Sequence, residues 1–193
     1  MNKYDKNSYI PVVGIGASAG GLEVIKKLIQ KIPEDKKIAY VIIQHLDPKH
    51  KSIMNSILQK HTSLKVEVIE KGMKIEAKYI YLNPPDKIVE INNGKFQLSN
   101  FEQLNTVKLP IDHFFRSLSE ELGEKAVCVI LSGTGSDGTQ GLKAIKRNGG
   151  MVAVQEPKEA EFQGMPNSAI QTGLVDHILP VEKMPQEIIK YLQ

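Results

Sequence analysis

Hydrophobic positions along the chain fall into two alternating rhythms. Ile10–Ile15 is a short apolar run ending in glycines, the pattern of a strand buried on both faces. After a glycine-rich turn over 16–21, Leu22, Ile25, Leu28, Ile29 and Ile32 recur at helical spacing, and Pro33 closes the segment. Ile38–Ile43 follows as a second apolar run, and a strand–helix–strand unit of this kind favours parallel pairing. A helix over 51–60 is expected to present Ile53, Ile57 and Leu58 on one face, and Val66–Ile69 reads as a third strand. The rhythm then changes. Tyr79–Leu82 and Lys87–Ile91 are strand-like, and Asn93-Gly94 before Phe96–Leu98 signals a hairpin turn. Ser99–Val107 is polar and aperiodic and reads as an exposed loop. Ile111, Phe114, Phe115, Leu118 and Leu122 share a helical face ended by Gly123. Ala126–Leu131 is a buried strand, Ser132–Gly138 a glycine-rich turn, 139–148 a helix and Met151–Val154 a strand. Helices are expected over 166–172, with Pro166 in first position, and over 185–192. The pattern predicts an α/β fold: a doubly wound, mostly parallel sheet flanked by helices, with an inserted antiparallel hairpin. Residues 1–8 read as a polar tail and 9–193 as a single domain.

Composition narrows the function. The chain has 193 residues, 41% hydrophobic and 24% charged, enough to bury a core without covalent staples. A single cysteine, Cys128, excludes an internal disulfide framework and a multi-cysteine zinc site. A formal charge of +3 and 6% aromatics without Trp argue against a nucleic-acid partner. No apolar run approaches the ~20 residues of a membrane span, and the polar start is no secretory signal. A cytoplasmic protein without direct membrane insertion is expected.

Three turns carry candidate chemistry, and each follows a predicted parallel strand. They are Gly14-Ile15-Gly16-Ala17-Ser18-Ala19-Gly20-Gly21, then Gln44-His45-Leu46-Asp47-Pro48, then Ser132-Gly133-Thr134-Gly135-Ser136-Asp137-Gly138. Ligands of open α/β sheets bind beyond the carboxyl ends of the strands, so the three turns belong on one edge. They supply one Ser, one His and one Asp. Ser18 lies in Gly-x-Ser-x-Gly, where small neighbours permit a sharp turn that presents the hydroxyl; it also reads as the N-cap of the next helix. A dinucleotide loop is disfavoured because the next strand ends in Gln44-His45 and offers no acid to a ribose, and Gly-Lys-Ser/Thr is missing for a Walker loop. His45 is the one histidine at the end of a predicted core strand, whereas His50, His61, His113 and His177 fall on loops or helix faces. The spacing of His45, Asp47 and His50 fits no strong metal signature, so no metal or other cofactor is expected. Asp137 reads either as a plain turn aspartate or as the carboxylate that fixes the His tautomer. The order Ser18, His45, Asp137 differs from that of the α/β-hydrolases.

These segments resemble the chemotaxis protein-glutamate methylesterase (CheB-type) catalytic domain. The resemblance rests on the three turns together with Asn83-Pro84-Pro85 and Gly164-Met165-Pro166-Asn167-Ser168-Ala169, in the family's order, and covers about residues 9–192. It implies a serine hydrolase that removes methyl groups from glutamate methyl esters in the cytoplasmic region of bacterial chemoreceptors, with a glutamine deamidase activity besides. Ser18 would be nucleophile, His45 general base and acid, and Asp137 the carboxylate orienting His45. Backbone N–H groups of Ala19, Thr134 and Gly135 would meet the oxyanion, and Gly16 and Met165 would line the substrate.

Two positions depart from the best-known pattern. Ala19 stands where phosphorylation-regulated members have Thr, and Thr134 where they have Met. Ser132-Gly133-Thr134-Gly135-Ser136-Asp137-Gly138 more closely resembles the methylesterase segment of methylesterase–methyltransferase fusions, which implies a methyltransferase as fused domain or partner; the alternative expectation is a free-standing esterase with another regulator. The competing reading is a binding module that holds an anionic or nucleotide ligand at its glycine turns.

Overall fold

The computed structural model describes residues 10–45, 53–101 and 108–193. The expected tail over 1–8, and Asp47 and His50, lie outside them. Seven strands form one sheet: β1 (Val12–Ala17), β2 (Ala39–Gln44), β3 (Lys65–Val68), β4 (Tyr79–Leu82), and, after the hairpin, β7 (Ala126–Ile130), β8 (Met151–Gln155) and β9 (His177–Leu179). Their order is β3-β4-β2-β1-β7-β8-β9, and every pairing is parallel. The central strands are apolar on both faces because helices cover both, and their burial is continuous: all six residues of β1 and all five of β7 are buried.

One face is covered by α1 (Gly21–Ile29), α2 (Met54–Gln59) and α6 (Met184–Leu192), which bury Ile25, Leu28, Leu58, Met184 and Ile188 against Ile15, Ile42 and Val129. The other carries α3 (Pro110–Leu122), α4 (Thr139–Arg147) and α5 (Gly164–Ile170), with Phe114, Phe115, Leu118, Leu142 and Met165 against Val41, Cys128 and Ile130. The hairpin of β5 (Lys87–Asn92) and β6 (Lys95–Asn100) turns at Asn93-Gly94, both at positive φ, as a two-residue hairpin loop requires. It packs on α3: Ser117 Oγ accepts from Ile91 N–H at 3.1 Å, and Glu121 accepts from Gly94 N–H at 2.8 Å.

The differences from expectation are local. The first strand is shifted two residues, to Val12–Ala17. On α2 the buried side chains are Met54 and Leu58, while Ile53 is exposed. β6 continues through Ser99 and Asn100 and Phe101 is buried, so 99–101 are not the exposed loop expected there; the rest of that segment, 102–107, lies outside the described residues. Pro166 sits in the third position of α5, where the N–H it lacks still needs no intrahelical partner. His177 opens the edge strand β9, an element the sequence pattern did not announce.

The order of connections reverses between β1 and β7, since β2 and β4 lie to one side of β1 and β8 and β9 to the other side of β7. A crevice outside the carboxyl ends of the strands belongs at such a switch point.

Candidate active site

Ser18 and His45 stand at the ends of adjacent strands. Ala17 and Gln44 are register partners of β1 and β2, so the next residue on each strand is Ser18 and His45 respectively. Strand ends paired this way are about 5 Å apart. On the other flank of β1, pairing with β7 runs on past the last ladder residues: Leu131 N–H donates to Gly16 O at 2.9 Å and Ser18 N–H to Ser132 O at 3.0 Å. The Ser18 backbone is thus held from both sides, with Gln44 Nε2 donating to Ser18 O at 3.4 Å. The helix that follows begins at Gly21, and its N-cap is Gly20 in the left-handed region. Ser18 is therefore not the helix cap. Its hydroxyl makes no hydrogen bond among the described residues and is half-buried.

Asp137 lies six residues beyond Leu131, at the end of the glycine turn, and is 4% exposed. Its carboxylate is fully engaged. Oδ1 accepts from Asp112 N–H at 2.9 Å and Gly138 N–H at 2.8 Å; Oδ2 accepts from Ile111 N–H at 3.1 Å and meets His45 Nε2 at 2.8 Å. Ile111 and Asp112 open α3, so Asp137 takes two of the orphan N–H groups of that helix and sits at the positive end of its dipole. This tertiary bonding is more than a turn aspartate needs. His45 stays accessible, with 41% of its side chain exposed.

α3 reaches this position because β1 presents glycine beneath it. A Cβ on Gly16 would run into Ile111 Cγ2 at 2.5 Å. Gly16 is buried, so it seats the helix that holds Asp137 and does not line a substrate surface. Met165 is likewise 1% exposed. Its N–H donates to Gly133 O at 2.9 Å and its sulfur packs where a Gly133 Cβ would stand, which makes it the support of the turn.

The N–H groups of the two turns differ in what they already bind. Gly133 N–H is committed to Phe162 O at 3.0 Å and is not available. The N–H groups of Ala19, Thr134 and Gly135 donate to no partner among the described residues, and Thr134 and Gly135 are exposed. The Ala19 carbonyl accepts from Ser132 Oγ at 2.9 Å, which ties the two turns together.

Sequence reasoning missed several supports. Asn83, 6% exposed, brackets Gln44: Oδ1 accepts Gln44 N–H at 2.9 Å and Nδ2 donates to Gln44 O at 2.9 Å, fixing the chain just ahead of His45. The signal was present in Asn83-Pro84-Pro85 after a predicted strand. Phe101, with Asn83, Lys108 and Pro110, walls a cleft of about 140 Å³ that borders His45. Among the described residues no group of three or more His, Cys, Asp or Glu side chains is arranged to hold a metal.

Comparison with known proteins decides the family. The CheB methylesterase family model matches residues 13–188. The chain belongs to the CheB methylesterase family. A Leptospira interrogans protein provisionally named protein-glutamate methylesterase/protein-glutamine glutaminase is 37% identical over 177 residues, 91% of this chain and 92% of that one. The protein-glutamate methylesterase/protein-glutamine glutaminase of Pyrococcus horikoshii is 31% identical over 185 residues, 94% of this chain but 50% of that one. The chain thus spans about half the length of that CheB relative. The crystal structure of the Thermotoga maritima CheB methylesterase catalytic domain superposes with a TM-score of 0.86 at 29% identity, covering 94% of this chain and 98% of that one. The seven-stranded sheet and the two-stranded hairpin are those of the CheB catalytic fold.

Proposed function

We propose that this chain hydrolyses methyl esters of glutamate side chains in the cytoplasmic region of chemoreceptors, through Ser18, His45 and Asp137 and an acyl-enzyme. The observation that carries the reading is the His45 Nε2–Asp137 hydrogen bond at 2.8 Å, formed beside the strand end that bears Ser18. A serine hydroxyl is a poor nucleophile at neutral pH and needs an oriented base. Asp137 supplies the orientation. It fixes the tautomer with Nε2–H toward the carboxylate and leaves Nδ1 as the basic nitrogen.

Ser18 Oγ attacks the ester carbonyl as His45 Nδ1 takes its proton. The oxyanion meets backbone N–H groups of Ala19, Thr134 and Gly135, each such donor being worth about 3 kcal/mol of barrier. The C–OCH₃ bond breaks as His45 returns the proton to give methanol. Water, deprotonated by His45, then attacks the acyl-enzyme and frees glutamate and Ser18. The same sequence with ammonia leaving deamidates glutamine, the second activity in the names of the Leptospira and Pyrococcus relatives. A methyltransferase, as fused domain or partner, supplies the methylated substrate.

The test is methanol release from methylated receptor fragments. Wild type releases methanol and Ser18→Ala does not. Turnover retained by Ser18→Ala would move the nucleophile elsewhere, and anion or nucleotide binding without turnover in either protein would favour a binding module.

A further inference from the structure

A second cleft opens against the nucleophile turn, on the side of α1. It measures about 360 Å³ and is bordered by Gly20 and Ser132. Its walls carry Glu23, Glu159, Glu161 and Glu182 against one basic side chain, Lys27. The chain as a whole has the opposite balance, 25 basic to 22 acidic residues, so this concentration of carboxylates is local. Glu23 turns to Lys26, at 2.8 Å. Glu159, Glu161 and Glu182 have no ion pair among the described residues, and Glu161 Oε2 lies 2.8 Å from where a Gly20 Cβ would stand, two residues from Ser18.

The floor adds an independent feature. Gln155, at the end of β8, is 2% exposed. Its Oε1 accepts Ser132 N–H at 2.9 Å, which fixes the orientation of the amide. Its Nε2 donates to no described residue, and Gln155 lines the cleft. The amide N–H₂ therefore opens onto the cleft, where an acceptor carried by a ligand can meet it. Carboxylates around an N–H donor complement a ligand carrying a cation next to a carbonyl. A bare metal ion has no acceptor to offer, whereas a basic residue in a polypeptide has both.

We propose that this cleft takes a lysine or arginine side chain of the polypeptide substrate, with its cation among Glu159, Glu161 and Glu182 and a peptide carbonyl on Gln155 Nε2. The consequence for catalysis rests on the methylesterase reading: a basic residue near the esterified glutamate would decide which esters are cut. The binding itself does not depend on that reading.

Two assays separate them. The first follows methanol release from receptor peptides with one glutamate methyl ester and a single Arg or Gln scanned across the neighbouring positions. At one or more positions the Arg peptide should have the lower KM. Glu161→Gln/Glu182→Gln, which changes exposed side chains outside the proposed triad, should raise that KM about fivefold to tenfold, the scale of two partly exposed ion pairs, with kcat and the Gln peptide unchanged. Added salt should erase the difference. The second assay measures binding of the unesterified Arg and Gln peptides, and of spermidine alone, by wild type and the double variant. Tighter Arg-peptide binding, lost in the variant, is expected. Equal binding of the two peptides overturns the proposal, as does a variant that binds the Arg peptide like wild type. Spermidine binding with no Arg preference overturns it too, in favour of a free-cation site. If wild type releases no methanol from any peptide, the methylesterase reading falls and the binding assay alone decides the cleft.

Discussion

His45 turns Nε2, not Nδ1, to Asp137, at 2.8 Å. The polarity of the ring follows from where the carboxylate is anchored. Asp137 is held at the start of α3 by Ile111 and Asp112 N–H groups, and His45 approaches it from the end of β2, the strand beyond Ser18. The nitrogen left for a hydroxyl is Nδ1.

Asp137→Asn tests that arrangement. The amide nitrogen would face either His45 and Ile111 N–H or the N–H groups of Asp112 and Gly138, and each choice sets donor against donor. A turnover loss of at least about 100-fold is expected, below the roughly 10⁴ of the serine-protease precedent because this site is more open. Stability should fall as well, by about 1–3 kcal/mol for the unpaired buried group. For a chain of this size that is about 2–4 °C of Tm per kcal/mol. From sequence alone the variant would be expected to melt like wild type; the three backbone hydrogen bonds change that expectation. Paired turnover and melting measurements decide it, and normal values of both would leave Asp137 a turn residue.

Ser18→Ala should behave in the opposite way. The hydroxyl has no hydrogen bond among the described residues, and the Ser18 backbone keeps its partners in Ser132, Gly21 and Gln44. Turnover is lost while Tm stays within the small range of a neutral surface change. A large drop in Tm would show that the hydroxyl has a structural partner.

The ends of the strands were legible in the sequence because a parallel sheet with crossover helices places every strand-to-helix turn on one edge, whatever the strand order. Ser18, His45 and Asp137 could be grouped on that ground alone. The supports were not legible, because they are tertiary. Asp137 is bonded to α3, 25 and 26 residues upstream, and no local pattern announces the bond. Gly16 read as room for a substrate when its missing side chain is room for Ile111. β9 escaped because three residues, His177–Leu179, are too few to show alternation, and its pairing with β8 is a decision of the whole sheet.

Asp112 gives a pH signature. Burial raises its carboxyl above the usual range, and the nearby Asp137 charge adds to the shift, while Gly141 N–H opposes it. A raised carboxyl binds its proton more tightly in the folded state, so folding loses stability as pH rises through the ordinary aspartate value, near 4, to the folded one. Asp112→Asn mimics the protonated form and removes that loss. The Tm of Asp112→Asn minus that of wild type should therefore be more positive at pH 7 than at pH 3. A difference that is flat or reversed across that range contradicts the assignment.

Gly133 lies against both Met165 and Ser18. A Cβ there would collide with the Met165 sulfur and approach Ser18 Cβ to 3.0 Å. The two contacts have different remedies. Methionine is flexible and can be shortened, whereas Ser18 is held through Ser132 O and cannot retreat without disturbing the β1–β7 pairing. Gly133→Ala should destabilise the domain by about 1–3 kcal/mol, the usual cost of overpacking. Adding Met165→Ala removes the colliding sulfur, so the double variant should lose less stability than the sum of the two single changes. Turnover should not recover in the same proportion, because the methyl group still presses on Ser18, the proposed nucleophile. A thermodynamic cycle read by denaturant melts, with methanol release measured on the same four proteins, separates the effects. Full recovery of turnover in the double variant would mean that Gly133 serves Met165 alone and has no part in placing Ser18.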